Sequence, residues 1–524
     1  MTPANKLKLS FSIFCILCVF WYLDRPFPDS SAIYRNAPQF TITPKSETTA
    51  LAWSLSAYLR SVTAAHPGQT GAYILENGDE AWLARAWLAD HAKRSIDVQY
   101  VVWSTDKIGT LASEALIRAA NRGVQVRVIV DDLLVEGEDV TLLALTKHPN
   151  VKIRIYNPKH RVNSNAGNRL WSVITDFKAP NQRMYDQTFV VDGAIAITGG
   201  RNMANEYFNF HHEVHFRDRD ALIVGEAVSE VNNNFDNFWQ HPLSVPVEKI
   251  FSKHRFIQKE DVSDQEVRRI YAQLHHYANQ DENFDPLLKQ AIRGTPASFE
   301  RLGKEMVWAD VEFIHDTPGK SRQEALHGSG DSSRALLALL KSAQKEIVMQ
   351  MPYLVLSDQA LALIKDTLQR GVKIIINTNS LASTDNLQAF SGYRNQREDL
   401  LKMGVEIFEF RPDAKRRGNL LNSPAIDKYQ PAVFGLHAKS MVVDNKTAYI
   451  GTFNFDPRSE NLNTEVGAII HNPQLASQLA KTIRQDMQAG NSWNAKSDEP
   501  DQYSSHGKRF KVWLMQFLPL RALL

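Results

Sequence analysis

Residues 185–202 read YDQTFVVDGAIAITGGRN, and residues 437–454 read HAKSMVVDNKTAYIGTFN. The two segments align without a gap over eighteen residues at an offset of 252. Each contains two strand-like runs separated by a turn, Asp-Gly in the first segment and Asp-Asn in the second. A second pair of segments, residues 95–132 and 346–379, repeats a strand–helix–strand plan at an offset of 248. Two matched blocks in the same order predict that the chain arose by duplication of one unit.

The repeated units predict an α/β fold of two pseudosymmetric lobes, each a mixed sheet flanked by helices. We place the first lobe at residues 48–245 and the second at residues 301–524. Residues 246–300 match nothing in the other lobe, and the amphipathic runs at 265–276 and 286–293 predict a helical connection.

A third match extends the longer repeat. Glu213-Val214 and Glu465-Val466 keep the offset of 252. We therefore expect Glu213 and Glu465 to occupy equivalent positions in the two lobes.

Composition restricts the functional class. The chain has 524 residues, and 60 Lys plus Arg oppose 58 Asp plus Glu, for a net charge of +2. So small a net charge does not predict a nucleic-acid-binding field. The only cysteines, Cys15 and Cys18, lie near the N-terminus, so the folded body has no thiolate metal site, disulfide or cysteine nucleophile.

The N-terminal 24 residues predict a membrane anchor or a signal. Residues 9–23 are apolar apart from Ser10 and Ser12, and Lys6 and Lys8 precede them. No A-x-A cleavage pattern follows, which favours an uncleaved anchor over a cleaved signal. The expected location is the bacterial inner membrane, with the body in the periplasm.

The segment that begins at His437 carries the chemistry. His437 and Lys439 are two apart on a strand and share one face, whereas Asp444 has the opposite parity and begins the turn. A histidine can attack phosphorus or protonate an alcohol, and a neighbouring lysine can hold the oxygens of a phosphodiester. Asn454 can donate a further hydrogen bond, and Glu465 could orient the imidazole.

These residues resemble the phospholipase D superfamily, whose mark is H-x-K-x(4)-D followed by G-S-x-N in each lobe. More narrowly, the chain is similar to bacterial cardiolipin synthases of the C type, through NSLASTD at 379–385, FNFDPRS at 453–459, GGRN at 199–202 and FRDRD at 216–220. The resemblance implies phospholipase D-type lobes and one metal-independent site, without a cofactor, where the two motifs meet. It also implies catalytic roles for His437, Lys439, Asp444, Asn454 and Glu465.

The first motif departs from the family pattern. Tyr185 stands at the position of His437 and Gln187 at that of Lys439, while Asp192 is retained. Asn202, Glu213 and Asp220 match supporting positions. A tyrosine can donate a proton but is a poor base at pH 7, and a glutamine brings no charge to a phosphate.

Three functions remain open from the sequence. The first is a membrane-bound phosphatidyl transferase that acts on phosphatidylglycerol, alone or with phosphatidylethanolamine. The second is a catalytically weak or inactive relative that binds anionic phospholipid and regulates a protein partner. The third, a nuclease-type phosphodiesterase, is disfavoured by the small net charge, so no nucleic-acid partner is expected.

Overall fold

A computed structural model describes residues 55–135, 139–158, 182–210, 214–254, 261–280, 302–320, 330–417 and 433–517. The predicted N-terminal anchor, Glu213 and the predicted helix at 286–293 lie outside these residues. Within the described ranges, no helix is long and apolar enough to cross a membrane.

The elements of the two lobes follow the predicted alternation of strands and helices. The first-lobe strands are β1 (Thr70–Leu75), β2 (Ser95–Trp103), β3 (Gln125–Val135), β4 (Val151–Tyr156), β5 (Thr188–Val191), β6 (Ile195–Gly199), β7 (Val214–Arg217), β8 (Asp220–Gly225) and β9 (Ser244–Pro246). The helices of this half are α1 (Leu55–Ala64), α2 (Gly78–His91), α3 (Lys107–Asn121), α4 (Asp139–Lys147), α5 (Val228–Gln240), α6 (Val247–His254) and α7 (Asp264–Ala278).

The second half repeats this order. Its strands are β10 (Val307–His315), β11 (Glu346–Gln350), β12 (Lys373–Asn379), β13 (Glu406–Phe410), β14 (Val433–Leu436), β15 (Lys439–Val443), β16 (Thr447–Gly451), β17 (Val466–His471) and β18 (Ser492–Asn494). Its helices are α8 (Asp331–Ser342), α9 (Asp358–Gln369), α10 (Leu387–Met403), α11 (Pro457–Asn461), α12 (Pro473–Asp486) and α13 (His506–Met515).

One sixteen-stranded sheet runs through both lobes in the order β18-β13-β12-β11-β15-β16-β17-β10-β1-β8-β6-β5-β2-β3-β4-β9. Each strand of one half has an equivalent strand at the same distance from the centre of the sheet in the other half. The two halves meet where β1 pairs antiparallel with β10. The remaining two strands, β7 and β14, form a separate parallel pair between the lobes. The predicted α/β duplication is therefore confirmed.

Loop length differs between the lobes, and this overturns one predicted equivalence. Gly199 pairs with Asp220 across β6 and β8, and Gly451 pairs with Gly467 across β16 and β17. The last strands therefore match at an offset of 247, because the first lobe has five extra residues before β8. The expected equivalence of Glu213 with Glu465 was wrong, and Asp218 occupies the position equivalent to Glu465.

The two predicted turns hold the hairpins to the preceding strands. The backbone angle φ is 54° at both Asp192 and Asp444. The Asp192 carboxylate accepts hydrogen bonds from the backbone N–H groups of residues 93–95 at 2.7–3.1 Å. The Asp444 carboxylate does the same for residues 344–346 at 2.8–3.0 Å. Asp192 therefore stabilises the N-terminal end of β2, and Asp444 stabilises the N-terminal end of β11.

A buried ion network joins the lobes beside the central strands. The Asp486 carboxylate at the end of α12 lies 3.0 Å from Arg217, 3.3 Å from Arg219 and 2.9 Å from Arg416. Arg217 and Arg219 also contact Glu76, whose pKa stays below its ordinary value because these positive charges outweigh its burial. Since Arg217 and Asp486 belong to different lobes, the network fixes one lobe against the other.

The described part of the predicted connection packs on the first lobe. Residues 265–276 were predicted to be helical and lie within α7, which contacts α3 and α4. Strand β9 extends the first-lobe edge by pairing with β4.

Candidate active site

Each motif is hydrogen-bonded to the backbone of the other lobe. The backbone N–H groups of His437 and Ala438 both donate to the Arg217 carbonyl at 2.9 Å. The N–H of Tyr185 donates to the Thr464 carbonyl at 3.0 Å. Arg217 and Thr464 directly precede Asp218 and Glu465, so an acidic residue from one lobe is brought to the motif of the other.

The His437 imidazole is held from two sides. Its Nδ1 lies 2.6 Å from Asp218 Oδ2, and the Asp218 side chain is fully buried. Lys439 Nζ lies 2.9 Å from Nδ1 and 3.1 Å from Nε2, and it donates to the His437 carbonyl at 2.8 Å. A proton on Nδ1 shared with Asp218 leaves the lone pair on Nε2, beside the lysine charge.

Aromatic rings enclose the imidazole. The ring centroids of Phe216, Tyr207 and Tyr353 lie 5.0, 5.1 and 6.5 Å from that of His437. Tyr353 donates through its hydroxyl to the Asp385 carboxylate at 2.8 Å. The side chain of His437 retains 11% exposure, so a substrate phosphate can reach it.

The charges of the site favour a neutral imidazole beside a carboxylate and an ammonium. Burial lowers the pKa of His437 below its ordinary 6.5, Lys439 adds to the decrease, and Asp218 opposes it. Burial would raise the pKa of Asp218, but its contact with His437 and the charge of Lys439 bring it below its ordinary value. Burial also lowers the pKa of Lys439 to about 8.

The predicted orienting residue was wrong. Glu465 was expected to orient the His437 imidazole, but the carboxylate in contact with that ring is Asp218. Glu465 is buried beside the hydroxyls of Thr452 and Ser459, and burial raises its pKa well above the ordinary value. Asp218 lies in the FRDRD string just before β8, as Glu465 lies just before β17. This shared position was the signal that could have identified Asp218 from the sequence.

The first-lobe half of the site is neutral. Gln187 Nε2 donates to Asn202 Oδ1 at 3.0 Å, and Asn202 Nδ2 donates to the Tyr207 hydroxyl at 3.1 Å. Tyr185 is half-buried near Arg458 and Glu465, and its partial desolvation raises the phenol pKa. The phenol is thus protonated at neutral pH and can donate a proton.

The other predicted residues divide between the site and its support. The buried Asn454 Oδ1 has no hydrogen-bond partner among the described residues, so this acceptor is open to a donor group of a ligand. Asp444 was predicted to be catalytic, but its carboxylate is committed to the backbone of residues 344–346, as its parity had indicated. Asp220 forms buried ion pairs with Arg85 at 2.9 Å and Arg201 at 3.2 Å, and so supports the first lobe.

Comparison with known proteins identifies the family. The family described as "Cardiolipin synthase, PLD-like domain" matches residues 88–239 and again residues 336–487. Cardiolipin synthase C of Escherichia coli is 33% identical over 83% of this chain and 88% of its own length. Cardiolipin synthase B of Shigella flexneri is 24% identical over 79% of this chain and 81% of its own.

A solved structure agrees with the fold. Phosphatidylserine synthase of Haemophilus influenzae superposes with a TM-score of 0.57 at 14% identity, covering 89% of this chain and 100% of that one. The duplicated lobes and the paired motifs define a phospholipase D-type protein. Within that class, the chain belongs to the cardiolipin synthase family. This confirms the resemblance seen in the sequence and the prediction that the protein is an enzyme of the phosphatidyltransferase type.

Proposed function

We propose that this protein is a phosphatidyl transferase that makes cardiolipin, with His437 as its nucleophile. The observation that carries the proposal is the Asp218–His437–Lys439 arrangement, in which a buried carboxylate contacts Nδ1 of a neutral imidazole and an ammonium lies within 3.1 Å of both ring nitrogens. A neutral, oriented imidazole is a nucleophile, and the adjacent positive charge can stabilise the phosphate under attack.

The reaction would proceed in two steps. Nε2 of His437 attacks the phosphorus of one phosphatidylglycerol, the bond to the headgroup glycerol breaks, and a phosphatidyl-histidine forms. The hydroxyl of a second phospholipid then attacks that phosphorus, and the bond to Nε2 breaks. Lys439 Nζ and the Nδ2 group of Asn454 donate to the non-bridging oxygens in both steps.

Tyr185 supplies the proton in this scheme. The phenol gives its proton to the departing glycerol oxygen and recovers it from the hydroxyl of the incoming phospholipid. Its raised pKa keeps the phenol protonated at neutral pH, but it also makes the phenol a weaker acid than a protonated histidine in the first transfer. We therefore expect slower turnover than in a family member that has two intact motifs.

Phosphatidylglycerol is the proposed acceptor, because its headgroup glycerol carries the attacking hydroxyl, and a second phosphatidylglycerol or phosphatidylethanolamine is the phosphatidyl donor. Cardiolipin synthase C of Escherichia coli, at 33% identity, supports this choice of product. We also propose that residues 1–24 anchor the protein in the bacterial inner membrane with the body in the periplasm, as the apolar N-terminal run predicts.

The decisive experiment is lipid analysis in bacteria that lack other cardiolipin synthases. The wild-type chain should produce cardiolipin, and His437→Ala should abolish it. His471→Ala, a surface imidazole bonded to Glu312 at 2.9 Å, is the matched control and should leave the product unchanged. The double change Tyr185→His with Gln187→Lys should raise the rate by about 10²–10⁴, because it returns a second acid–base group and a second positive charge.

Each alternative has its own outcome. Equal cardiolipin in cells with wild type and with His437→Ala would reject the enzymatic proposal. It would favour the lipid-binding regulator, for which the neutral first-lobe half of the site is the supporting observation.

A further inference from the structure

The exposed large hydrophobic side chains gather near the C-terminal end of the described chain. Across the ranges that the structure describes, these side chains are Tyr503, Phe510, Trp513 and Phe517, with exposures of 56%, 63%, 51% and 70%. Phe510 and Trp513 stack at 5.9 Å, and Trp513 meets Phe517 edge-on at 5.2 Å. We call Phe510, Trp513 and Phe517 the aromatic face of α13. Three adjoining aromatic rings in water are costly for a protein that leaves them uncovered.

The opposite side of α13 is firmly packed. Val512 is fully buried, and α13 lies against α10. Gln516 Nε2 donates to Asn395 Oδ1 of α10 at 2.8 Å. The orientation of the helix is thus set by its own lobe, which leaves the aromatic face directed away from the protein.

The charges beside the aromatic face are basic. Arg509 and Lys511 flank Phe510 in the sequence, and Lys511 is exposed. Aromatic rings bordered by Lys and Arg on one side of a helix are typical of helices that lie in the interface of a membrane. Tryptophan and phenylalanine provide the apolar contact, and the basic groups attract anionic headgroups.

The helix is connected to the candidate active site through one loop. Lys508 Nζ donates to the carbonyls of Leu381, Ala382 and Thr384 at 3.3–3.5 Å. The next residue, Asp385, accepts the hydrogen bond from Tyr353, whose ring faces His437. Membrane contact at α13 would therefore occur one loop away from the reacting imidazole.

We propose that the aromatic face of α13 inserts into the headgroup region of an anionic phospholipid bilayer and brings the candidate active site to its lipid substrate. The choice of a bilayer as partner rests on the proposed function, because that substrate resides in a bilayer. The contact is local to α13 and separate from the predicted N-terminal anchor.

The primary test measures the depth of α13 in the full chain. Cys15 and Cys18 are replaced by serine, and an environment-sensitive fluorophore is attached after Phe510→Cys or Phe517→Cys. The control site is Lys152→Cys. Lys152 is exposed at the start of β4, at the same end of the strands as the Asp192 turn. The protein is placed in vesicles of phosphatidylcholine and phosphatidylglycerol, some carrying acyl chains brominated near the headgroup.

Bromine should quench the label at positions 510 and 517 and leave the label at 152 unchanged. Equal quenching at all three positions, or none at 510 and 517, would overturn the proposal. This readout needs no turnover, so it stands even if the chain makes no cardiolipin. If the aromatic face is instead covered by a second copy of the chain, the labels at 510 and 517 escape quenching and the proposal fails.

A second test separates docking from chemistry. The triple change Phe510→Ser, Trp513→Ser and Phe517→Ser should lower activity on vesicles by about tenfold or more. Activity on detergent-dispersed phosphatidylglycerol should remain within about twofold of wild type, because detergent removes the need for interfacial docking. A triple variant that acts on vesicles as fast as wild type would reject the role of the aromatic face.

Discussion

At the scale of single residues, Asp218 determines how His437 can react. The carboxylate approaches Nδ1 to 2.6 Å, which selects the tautomer whose lone pair is on Nε2. Because Asp218 comes from the first lobe and His437 from the second, the degenerate lobe still supplies a residue that the intact motif needs. Loss of the first histidine therefore does not make the first lobe dispensable.

Replacement of Asp218 tests this positioning role. Asp218→Asn should lower kcat by about 10²–10⁴, because the amide can stabilise the wrong tautomer and carries no charge. Glu312→Gln is the control, since its carboxylate is 57% exposed and pairs with His471 at 2.9 Å, and its effect should be much smaller. Steady-state kinetics on both variants, with the melting temperature as a check on folding, compares them. Equal losses in kcat would contradict the cross-lobe pairing.

The pH dependence of kcat/KM follows from the lowered pKa values of His437 and Lys439. His437 must be neutral to attack, and its pKa lies below 6.5, so kcat/KM should fall only at pH values below 6.5. Lys439 must be protonated to hold the phosphate, and its pKa is about 8, so kcat/KM should also fall above about pH 8. Lys439→Arg should move the alkaline limb upward, because arginine stays protonated. An alkaline limb unchanged in that variant would show that another group titrates there.

At the scale of elements, the hairpin turns explain why both motifs keep their aspartate. Asp192 and Asp444 each bind three backbone N–H groups and each adopt a positive φ, which most side chains resist. The aspartate is therefore needed for folding in both lobes, including the lobe whose histidine and lysine are replaced.

Substitution at this turn should affect stability and not chemistry. Asp444→Ala should lower the free energy of unfolding by about 2–4 kcal/mol, since it removes three charge-assisted hydrogen bonds and places alanine at positive φ. Asp444→Asn should cost less, because asparagine tolerates that conformation and retains an acceptor oxygen. Denaturant unfolding gives the stability, and kcat per folded molecule should stay near wild type for both variants. A hundredfold loss of kcat in a fully folded Asp444→Asn would restore a catalytic role.

At the scale of the whole molecule, the site exists only where the lobes meet. The central β1–β10 pairing and the ion network around Asp486 set the lobes in register. Arg217 belongs to this network, and its carbonyl also binds the N–H groups of His437 and Ala438. The contact between the lobes and the position of His437 thus share one residue.

Removal of the central carboxylate should weaken the whole assembly. Asp486→Asn leaves three arginines without their shared counter-charge, and we expect a loss of about 3–5 kcal/mol in the free energy of unfolding. The control is Asp236→Asn, whose ion pair with Arg127 is 2.7 Å long but whose side chain is 48% exposed. That change should cost less than about 1 kcal/mol. Calorimetry on both variants makes the comparison, and similar melting temperatures would show that the network is not important for stability.

The sequence by itself determined the duplication, the α/β class, the two turns and the closeness of His437 to Lys439. These features depend on local periodicity and on residues few positions apart, where backbone geometry leaves little choice. Only the tertiary structure decided which carboxylate orients His437. That contact joins residues 219 positions apart, and the five extra residues before β8 shift the strand register, so a constant offset pointed to the wrong residue. The aromatic face of α13 was also decided by packing, because burial of Val512 against the lobe is what leaves Phe510, Trp513 and Phe517 outside.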